Sequence, residues 1–354
     1  MEAFFAIAGL LAAKVLHRED PAAWISRRAL ALLLPFFFGT IVVNPLGAMT
    51  ANVLQHRAVF DHVRLDVGHL WFLPTLFFCC LIVYCFRKQD VLGSGAMAEK
   101  VARKLCSLGG ISMYVSVAFV GAALLMVYKL EIAVVPIVTE YNRLFARIVH
   151  DIAYTVGQVP YYFIFFSLGY GFVQFPILCA LVMRKVEVHI AMTVLGVALL
   201  TAMFAHYGSN LFVEQAPWVG PIPILTASIK AFVAPAASIL VVMTAIRVKS
   251  GSRFISLLSR ASYTMYVTHV AVIAVLTQIS IICGAKGVAI PLLVTPVTLA
   301  ITFTFHAYVV ERSRLLLLFL NGTAFRFEND NVIQKILNGR PGRAFDNKAR
   351  RRFA

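Results

Sequence analysis

Long apolar runs recur along almost the whole chain of 354 residues, and they constrain its fold more than any other feature. A run of about 18 to 25 apolar residues matches the roughly 30 Å hydrocarbon thickness of a bilayer, and its backbone must be helical because lipid offers no hydrogen-bond partners. The sequence therefore predicts an all-α, polytopic integral membrane helix bundle of about nine transmembrane helices. The predicted segments lie near residues 3–16, 29–48, 69–86, 108–128, 159–183, 188–205, 220–246, 261–283 and 287–310.

The composition agrees with a membrane protein and argues against most classes of soluble enzyme. Hydrophobic residues make up 60% of the chain and charged residues 14%, and the mean hydropathy is +0.83. The sequence has no glycine-rich phosphate loop, no HExxH and no GxSxG, so no motif specifies a reaction. The six cysteines lack metal-ligand spacing and are interpreted as free apolar thiols, so we expect no metal site and no bound cofactor.

The net charge of +16 comes from Lys and Arg residues that are unevenly divided between alternate loops. One set of loops, together with the C-terminal segment, holds 25 of the 32 basic residues, whereas the other set holds 6. The positive-inside rule therefore places the basic loops and the C-terminus in the cytoplasm. We divide the chain into a transmembrane domain, residues 1–311, and a basic tail, residues 312–354. This tail is expected to be disordered and to contact anionic lipid rather than nucleic acid.

Ionisable residues inside the apolar runs are candidates for function because burying a charge in lipid is unfavourable. His69 opens the third run within GHLWFLPTLFF, two residues before Trp71, at the predicted outer face. His306 and Glu311 lie toward the cytoplasmic end of the ninth run. Lys230 lies in the seventh run, where its long side chain is expected to extend toward an interface.

A polar stripe runs along the eighth apolar segment. Ser262, Tyr266 and His269 are spaced by four and three residues, so they share one helix face. Two interpretations stay open: interhelical hydrogen bonds that pack the bundle, or the lining of a substrate site. Arg27 and Arg28, ahead of the second run, either anchor the helix at the cytoplasmic face or bind a phosphorylated donor such as a coenzyme A thioester.

The long connection 129–158 contains one further pattern. In YNRLFARIVHDIAY, residues 141–154, apolar side chains recur at helical spacing. This pattern predicts an amphipathic helix that lies in the membrane interface.

Four stretches, in this order, resemble the membrane acyltransferase family 3: MEAFFAIAGLLAAKVLHREDPAAWISRRALALLLPFF, GHLWFLPTLFF, VPYYFIFFSLGYGF, and ASYTMYVTHVAVIAVL with the closing YVVERSRLLLLFLNG. Within that family, the chain is most similar to the branch of glucan biosynthesis protein C, the succinyltransferase of osmoregulated periplasmic glucans. The resemblance implies about ten helices in a bacterial inner membrane. It also implies transfer of a succinyl or acetyl group from a cytoplasmic acyl-coenzyme A to a hydroxyl of a periplasmic or surface glycan.

The resemblance further implies roles for the candidate residues. On the acceptor side we expect His69 and Trp71. On the donor side, or in a tunnel for the donor, we expect Arg27, Arg28, Ser262, Tyr266, His269 and Glu311.

The sequence departs from the family pattern at its first helix. In the family, an Arg and, some ten residues later, a histidine that acts as general base lie on a helix before the FFxxSG-like segment. We expect that helix ahead of Met1 and assign no catalytic residue within the chain; in addition, Ala8 replaces the family's serine. Acyl transfer is therefore one of three hypotheses. The alternatives are a truncated or inactive acyltransferase-like protein without catalysis, and a transporter of a lipid-linked sugar or small anion.

Overall fold

The computed structural model describes residues 1–16, 18–60, 67–88, 143–175, 186–207, 221–247, 253–287 and 289–322. Within these ranges the regular structure is entirely helical. The α-helices, in chain order, are α1 (Glu2–Leu16), α2 (Pro21–Phe38), α3 (Asn44–Leu54), α4 (Phe72–Lys88), α5 (Arg143–Gln174), α6 (Val186–Tyr207), α7 (Pro221–Arg247), α8 (Arg253–Ile282), α9 (Ala289–Phe305) and α10 (Arg314–Asn321). Tighter or wider helical turns adjoin some of them: a π turn Gly39–Val43, a 3₁₀ turn Gly68–Trp71 and a π turn His306–Val310.

The prediction of an all-α membrane protein is confirmed. By length and composition, five helical stretches in the described ranges can cross a membrane: Pro21–Leu54, Gly68–Arg87, Val186–Met203, Leu257–Ile282 and Ala289–Val310. Eight of the nine predicted segments lie wholly or mostly on described helices, and the segment 108–128 lies outside the described residues.

The second predicted segment begins well before its apolar run. Asp20 caps α2 by accepting a hydrogen bond from the N–H of Ala23 at 2.9 Å. Pro21 occupies the first turn, where its missing N–H leaves no bond unmade. The helix continues through the first π turn into α3 and forms one stretch of 34 residues, Pro21–Leu54. The polar capping residues, and not the apolar run 29–48, therefore set where this helix starts.

Helix α5 combines two elements that the sequence analysis treats separately. The described part of the stretch 141–154, from Arg143 onward, and most of the predicted membrane segment 159–183 form one helix, Arg143–Gln174. Pro160 lies inside this helix and does not end it, as bundle neighbours in membranes can satisfy the backbone groups that a proline frees. The sequence predicted an interfacial helix and a separate membrane helix here, whereas the structure has one continuous helix.

Two glycines allow α1 and α5 to cross with their backbones in contact. A Cβ atom on Gly9 would lie 1.9 Å from the carbonyl oxygen of Phe166, and a Cβ on Gly169 would lie 1.7 Å from that of Ala6. Small residues permit such close crossings in membrane bundles. The fully buried ring of Phe5 packs into the same core.

Basic residues from two helices gather at one end of the bundle. Arg87, in the last turn of α4, donates a hydrogen bond to the carbonyl of Leu16, the last residue of α1, at 3.4 Å. Arg28 of α2 lies within electrostatic range of Cys80 on α4 and Tyr263 on α8. The C-terminal ends of α1 and α4 therefore lie together at this end of the bundle, and α2 packs against α4.

A short helix, α10, follows the second π turn and packs back onto the bundle. Ser313 caps its first turn, and Gly322 ends it in the left-handed conformation with φ of 62°. Phe319 stacks on Phe38 of α2, with ring centroids 5.1 Å apart. The bundle thus extends into the region assigned to the tail, of which residues 323–354 lie outside the described part.

Candidate functional site

The 3₁₀ turn Gly68–Trp71 carries His69 into the interior of the bundle. The neighbouring Leu70 is fully buried beside Gly39, where an added Cβ would lie 2.6 Å from the Leu70 side chain and 3.1 Å from that of Val267. Gly39 and Val267 lie about midway along the α2–α3 stretch and α8. His69 therefore lies near the middle of these helices. The sequence predicted it at the outer face, because it is the first residue of an apolar run.

Hydrogen bonds in both directions join His69 to Tyr266 on α8. The Tyr266 hydroxyl donates to the backbone carbonyl of His69, and the Nε2 atom of His69 lies 3.2 Å from the backbone carbonyl oxygen of Tyr266. The Nδ1 atom of His269 lies 2.6 Å from that same oxygen. The two imidazole rings are 4.9 Å apart and nearly perpendicular. The structure thus brings together residues that the sequence analysis divides between the acceptor and donor sides.

The shared carbonyl determines which ring nitrogens carry protons. A carbonyl oxygen only accepts hydrogen bonds, so His69 donates through Nε2–H and His269 donates through Nδ1–H. In a neutral His269, the lone pair is therefore on Nε2. We call His69, Tyr266 and His269 the histidine cluster.

Aromatic side chains adjoin the histidine cluster. The ring of Phe72 meets that of Tyr266 edge to face at 5.3 Å. The half-buried Trp71 packs against Tyr162, with ring centroids 5.2 Å apart, and Phe5 stacks on the same Tyr162 ring at 4.4 Å. These rings form much of the bundle core, and Trp71 keeps part of its surface uncovered. An uncovered aromatic face suits contact with a sugar ring.

A second polar network joins α8 to the π turn and to α10. The Thr264 hydroxyl donates to Oδ1 of Asn321 at 2.8 Å and lies 2.9 Å from Nδ1 of His306. Because that hydroxyl uses its one proton on Asn321, it accepts from His306, which therefore carries a proton on Nδ1. The Asn321 amide in turn donates to the carbonyl of Arg260 at 3.0 Å. Thr264 and His306 are fully buried, so this network ties α10 firmly to the bundle.

The π turn places Glu311 beside His306. The N–H of Glu311 bonds to the His306 carbonyl five residues earlier at 3.0 Å, which is the spacing of a π helix. The Glu311 carboxylate then lies 3.6 Å from Nε2 of His306 and 3.2 Å from Nε of Arg260. Glu311 therefore belongs to this second network and not to the histidine cluster.

The neighbouring residues Arg27 and Arg28 have different surroundings. Arg27 forms an exposed ion pair with Glu19. Arg28 is half-buried, has no carboxylate partner among the described residues, and lies 6.0 Å from the centre of the Trp24 ring. Trp24 is 1% exposed, and its indole N–H has no hydrogen-bond acceptor in the described part of the chain. The Arg28 guanidinium and the indole N–H of Trp24 are therefore neighbouring hydrogen-bond donors that have no acceptor among the described residues.

Two further predicted residues have simpler environments. The exposed Ser262 uses its hydroxyl within its own helix, donating to the carbonyl of Ser259 at 2.7 Å. Lys230 is exposed on α7. The stripe predicted on α8 is thus divided, with Tyr266 and His269 inside the cluster and Ser262 bonded along the helix.

Three residues of these networks were not predicted from the sequence: Thr264, Asn321 and Trp24. Thr264 lies on the opposite side of α8 from the polar stripe, so the helical spacing that identified the stripe could not include it. Asn321 lies beyond the expected end of the bundle. A tryptophan near a helix start was indistinguishable from an interfacial anchor, and only packing shows that Trp24 is buried.

The fold and the histidine cluster define a class: an α-helical membrane protein that holds imidazole and phenol groups inside its bundle. A family model described as an acyltransferase domain, that of acyltransferase family 3, matches residues 1–307. The chain therefore belongs to acyltransferase family 3, which confirms the resemblance at the level of the family. The matched region contains the histidine cluster and His306 and ends before Glu311. Comparisons with curated proteins and with solved structures gave no match.

Proposed function

We propose that this chain moves an acyl group, succinyl or acetyl, from a cytoplasmic acyl-coenzyme A to a hydroxyl of a periplasmic or surface glycan. The observation that carries the proposal is the histidine cluster, which lies inside the region that belongs to the acyltransferase family. Joining a donor from one face of the membrane to an acceptor from the other requires a reaction centre between the faces. The cluster lies near the middle of α8, where such a centre is needed.

The chemistry of thioester acyl transfer fits the groups present. A hydroxyl becomes an effective nucleophile when a base removes its proton, and histidine is the commonest such base in enzymes. The oxyanion that forms at the thioester carbonyl is stabilised by hydrogen-bond donors already in place. The histidine cluster brings two imidazole rings into one site, and Nε2 of a neutral His269 carries a lone pair.

The acceptor is proposed to contact His69 and Trp71. The partly uncovered Trp71 ring offers a flat apolar surface for a sugar, and its place beside His69 brings the sugar hydroxyls to the cluster. A glucan is included among the proposed glycans because of the resemblance of the four sequence stretches to the glucan biosynthesis branch.

The donor is proposed to enter from the basic end of the bundle. The half-buried Arg28 offers hydrogen-bond donors to the phosphates of coenzyme A, and guanidinium groups bind phosphate well. Tyr266 and His269 then receive the thioester. Ser262, Arg27 and Glu311 stay donor-side candidates with weaker support, because each has a partner of its own.

We also propose a multi-pass arrangement in a bacterial inner membrane with the C-terminus in the cytoplasm. The distribution of Lys and Arg supports this orientation.

A strain that lacks the gene tests the proposed function. We expect its periplasmic or surface glycan to lose its acyl groups while the amount of exported glycan stays unchanged, and we expect the full-length gene to restore acylation. Mass spectrometry of the purified glycan measures both quantities.

Loss of glycan export with normal acylation of the remaining glycan would instead identify a transporter. A glycan with unchanged amount and unchanged acylation would contradict both activities.

A further inference from the structure

The phenol hydroxyl of Tyr266 joins α8 to the turn that carries the acceptor-side residues. It donates a hydrogen bond to the backbone carbonyl of His69, within the 3₁₀ turn Gly68–Trp71. We propose that this hydroxyl is a positioning group for the acceptor, because it holds the turn on α8 so that His69 and Trp71 face the glycan together. This inference rests on the proposed function. It gives the hydroxyl of Tyr266 a role on the acceptor side and leaves the ring on the donor side.

The hydrogen bond to the turn decides what the Tyr266 hydroxyl can do. A phenol has a single proton to donate, and the His69 carbonyl accepts it. The hydroxyl therefore has no second proton to donate to a thioester or to a sugar. The ring of Phe72, which directly follows the turn, meets that of Tyr266 edge to face at 5.3 Å. Tyr266 thus acts on the acceptor through the turn.

The turn depends on outside support because it starts with a glycine. Gly68 has a φ of 47°, in the left-handed region that glycine adopts without strain, but a glycine also reaches many other conformations. Contacts with neighbouring helices must therefore select the observed one. The Tyr266 hydroxyl fixes the backbone of His69. The bond from Nε2–H of His69 to the Tyr266 carbonyl, at 3.2 Å, fixes its side chain.

The other end of the turn is held toward a different helix. The fully buried Thr75 hydroxyl donates to the carbonyl of Trp71 at 2.9 Å and lies 3.3 Å from the carbonyl oxygen of Thr155 on α5. The Trp71 end is therefore tied toward α5, and Tyr266 ties the His69 end to α8. The placement of the imidazole relative to the indole depends on both ties.

Removing only the hydroxyl tests the proposal. Tyr266→Phe keeps the ring and its contact with Phe72 but loses the bond to His69. The full-length protein in nanodiscs is given succinyl-coenzyme A or acetyl-coenzyme A, with the glycan purified from the strain that lacks the gene as acceptor. We expect the KM for the glycan to rise about 5-fold or more, as for one lost hydrogen bond, and the KM for the acyl-coenzyme A to change less than about 2-fold.

Tyr170→Phe is the matched control. Tyr170 is also a buried tyrosine, but its hydroxyl has no hydrogen-bond partner among the described residues. Its loss should leave both KM values unchanged. Replacing Tyr266 by 4-aminophenylalanine puts an N–H donor back in the same place and should return the KM for the glycan to within about 2-fold of the wild type. This rescue separates the lost hydrogen bond from a general disturbance of the bundle.

Calorimetric titration of the glycan, with no acyl donor present, measures acceptor binding apart from catalysis. The Kd for the glycan should rise in Tyr266→Phe as the KM does. An unchanged KM and Kd for the glycan, an equal rise in the KM for the acyl donor, or failure of the rescue would overturn the positioning role. A wild-type protein that neither acylates the glycan nor binds it would contradict the proposed function itself, so the two failures are distinguishable.

Discussion

Arg27 and Arg28 are adjacent in the chain, yet their charges are used differently. Arg27 is exposed and balanced by Glu19, and a pair of this kind contributes little to stability because water and salt screen it. Arg28 lies over the ring of Trp24 and has no carboxylate partner among the described residues. A guanidinium in such a place is suited to an anion that comes from outside the protein.

Neutralising these two arginines should have unequal effects on donor binding. We expect Arg28→Gln to raise the KM for acyl-coenzyme A about 10-fold, which corresponds to about 1.4 kcal/mol of lost binding. Arg27→Gln, the matched control, should change it less than 2-fold, as roughly expected for an exposed ion pair. Steady-state kinetics in nanodiscs measures both.

The donor analogue acyl-pantetheine lacks the adenosine phosphates and isolates the cause. Its KM should be the same for the wild type and for Arg28→Gln. An equal rise for both donors would mean that Arg28 supports the fold and does not bind phosphate.

The crossing of α1 and α5 shows how one atom can decide the position of a helix. At Gly169, the obstacle to a side chain is the backbone carbonyl of Ala6, which cannot swing aside as a side chain could. At Gly171, two residues on, the nearest atom to an added Cβ belongs to the Phe175 ring, 3.7 Å away. Comparing an alanine substitution at these two positions therefore separates the effect on the helix crossing from the effect of alanine on the helix itself.

Gly169→Ala should force α1 and α5 apart and destabilise the protein by about 1 to 3 kcal/mol or more, as overpacking does in tight cores. Gly171→Ala should be neutral or slightly stabilising, because alanine favours a helix by up to about 1 kcal/mol over glycine. Thermal unfolding of the detergent-solubilised variants, followed by circular dichroism, provides the comparison. Similar melting temperatures for the two variants would mean that the helices are not held at backbone contact.

Helix positions were more predictable than helix ends. The apolar runs identified most described helices, since an uninterrupted run of this length has few alternatives in lipid. The ends depended on capping residues such as Asp20 and Ser313, and the start of α2 was therefore misplaced. The two π turns were not predicted, because widening a helix by one residue depends on what the neighbouring helices require.

The ends of the bundle carry two exposed native cysteines that report its orientation. Cys85 lies in the last turn of α4 beside Arg87, at the basic end, and Cys283 follows the opposite end of α8. Cys79 and Cys80 are buried. The two exposed thiols should therefore face opposite sides of the membrane.

Two variants that each retain one cysteine, with the other five replaced by serine, test the orientation. In intact cells with a permeable outer membrane, a membrane-impermeant maleimide should label the variant that keeps Cys283 and not the one that keeps Cys85. After lysis, both should react, which shows that each thiol is accessible. Labelling of Cys85 alone in intact cells would reverse the proposed orientation.

The apolar pattern of the sequence identifies the residues of the candidate site but does not show that they come together. His69, Tyr266 and His269 were recognised because polar groups are conspicuous in apolar helices, and their chemistry follows from residue type. Their meeting was not foreseen: His69 and Tyr266 are 197 residues apart, and nothing local indicates that a 3₁₀ turn carries one to the other.

The class of protein and its helical content follow from hydrophobicity alone, because lipid leaves the backbone no alternative to internal hydrogen bonds. The family follows from motifs in the same sequence. Packing decided the rest: which arginine has a carboxylate partner, which nitrogen of His269 keeps its lone pair, and how far the bundle extends past the last long helix. Each of these depends on atoms from distant parts of the chain that come within bonding distance only in the folded protein.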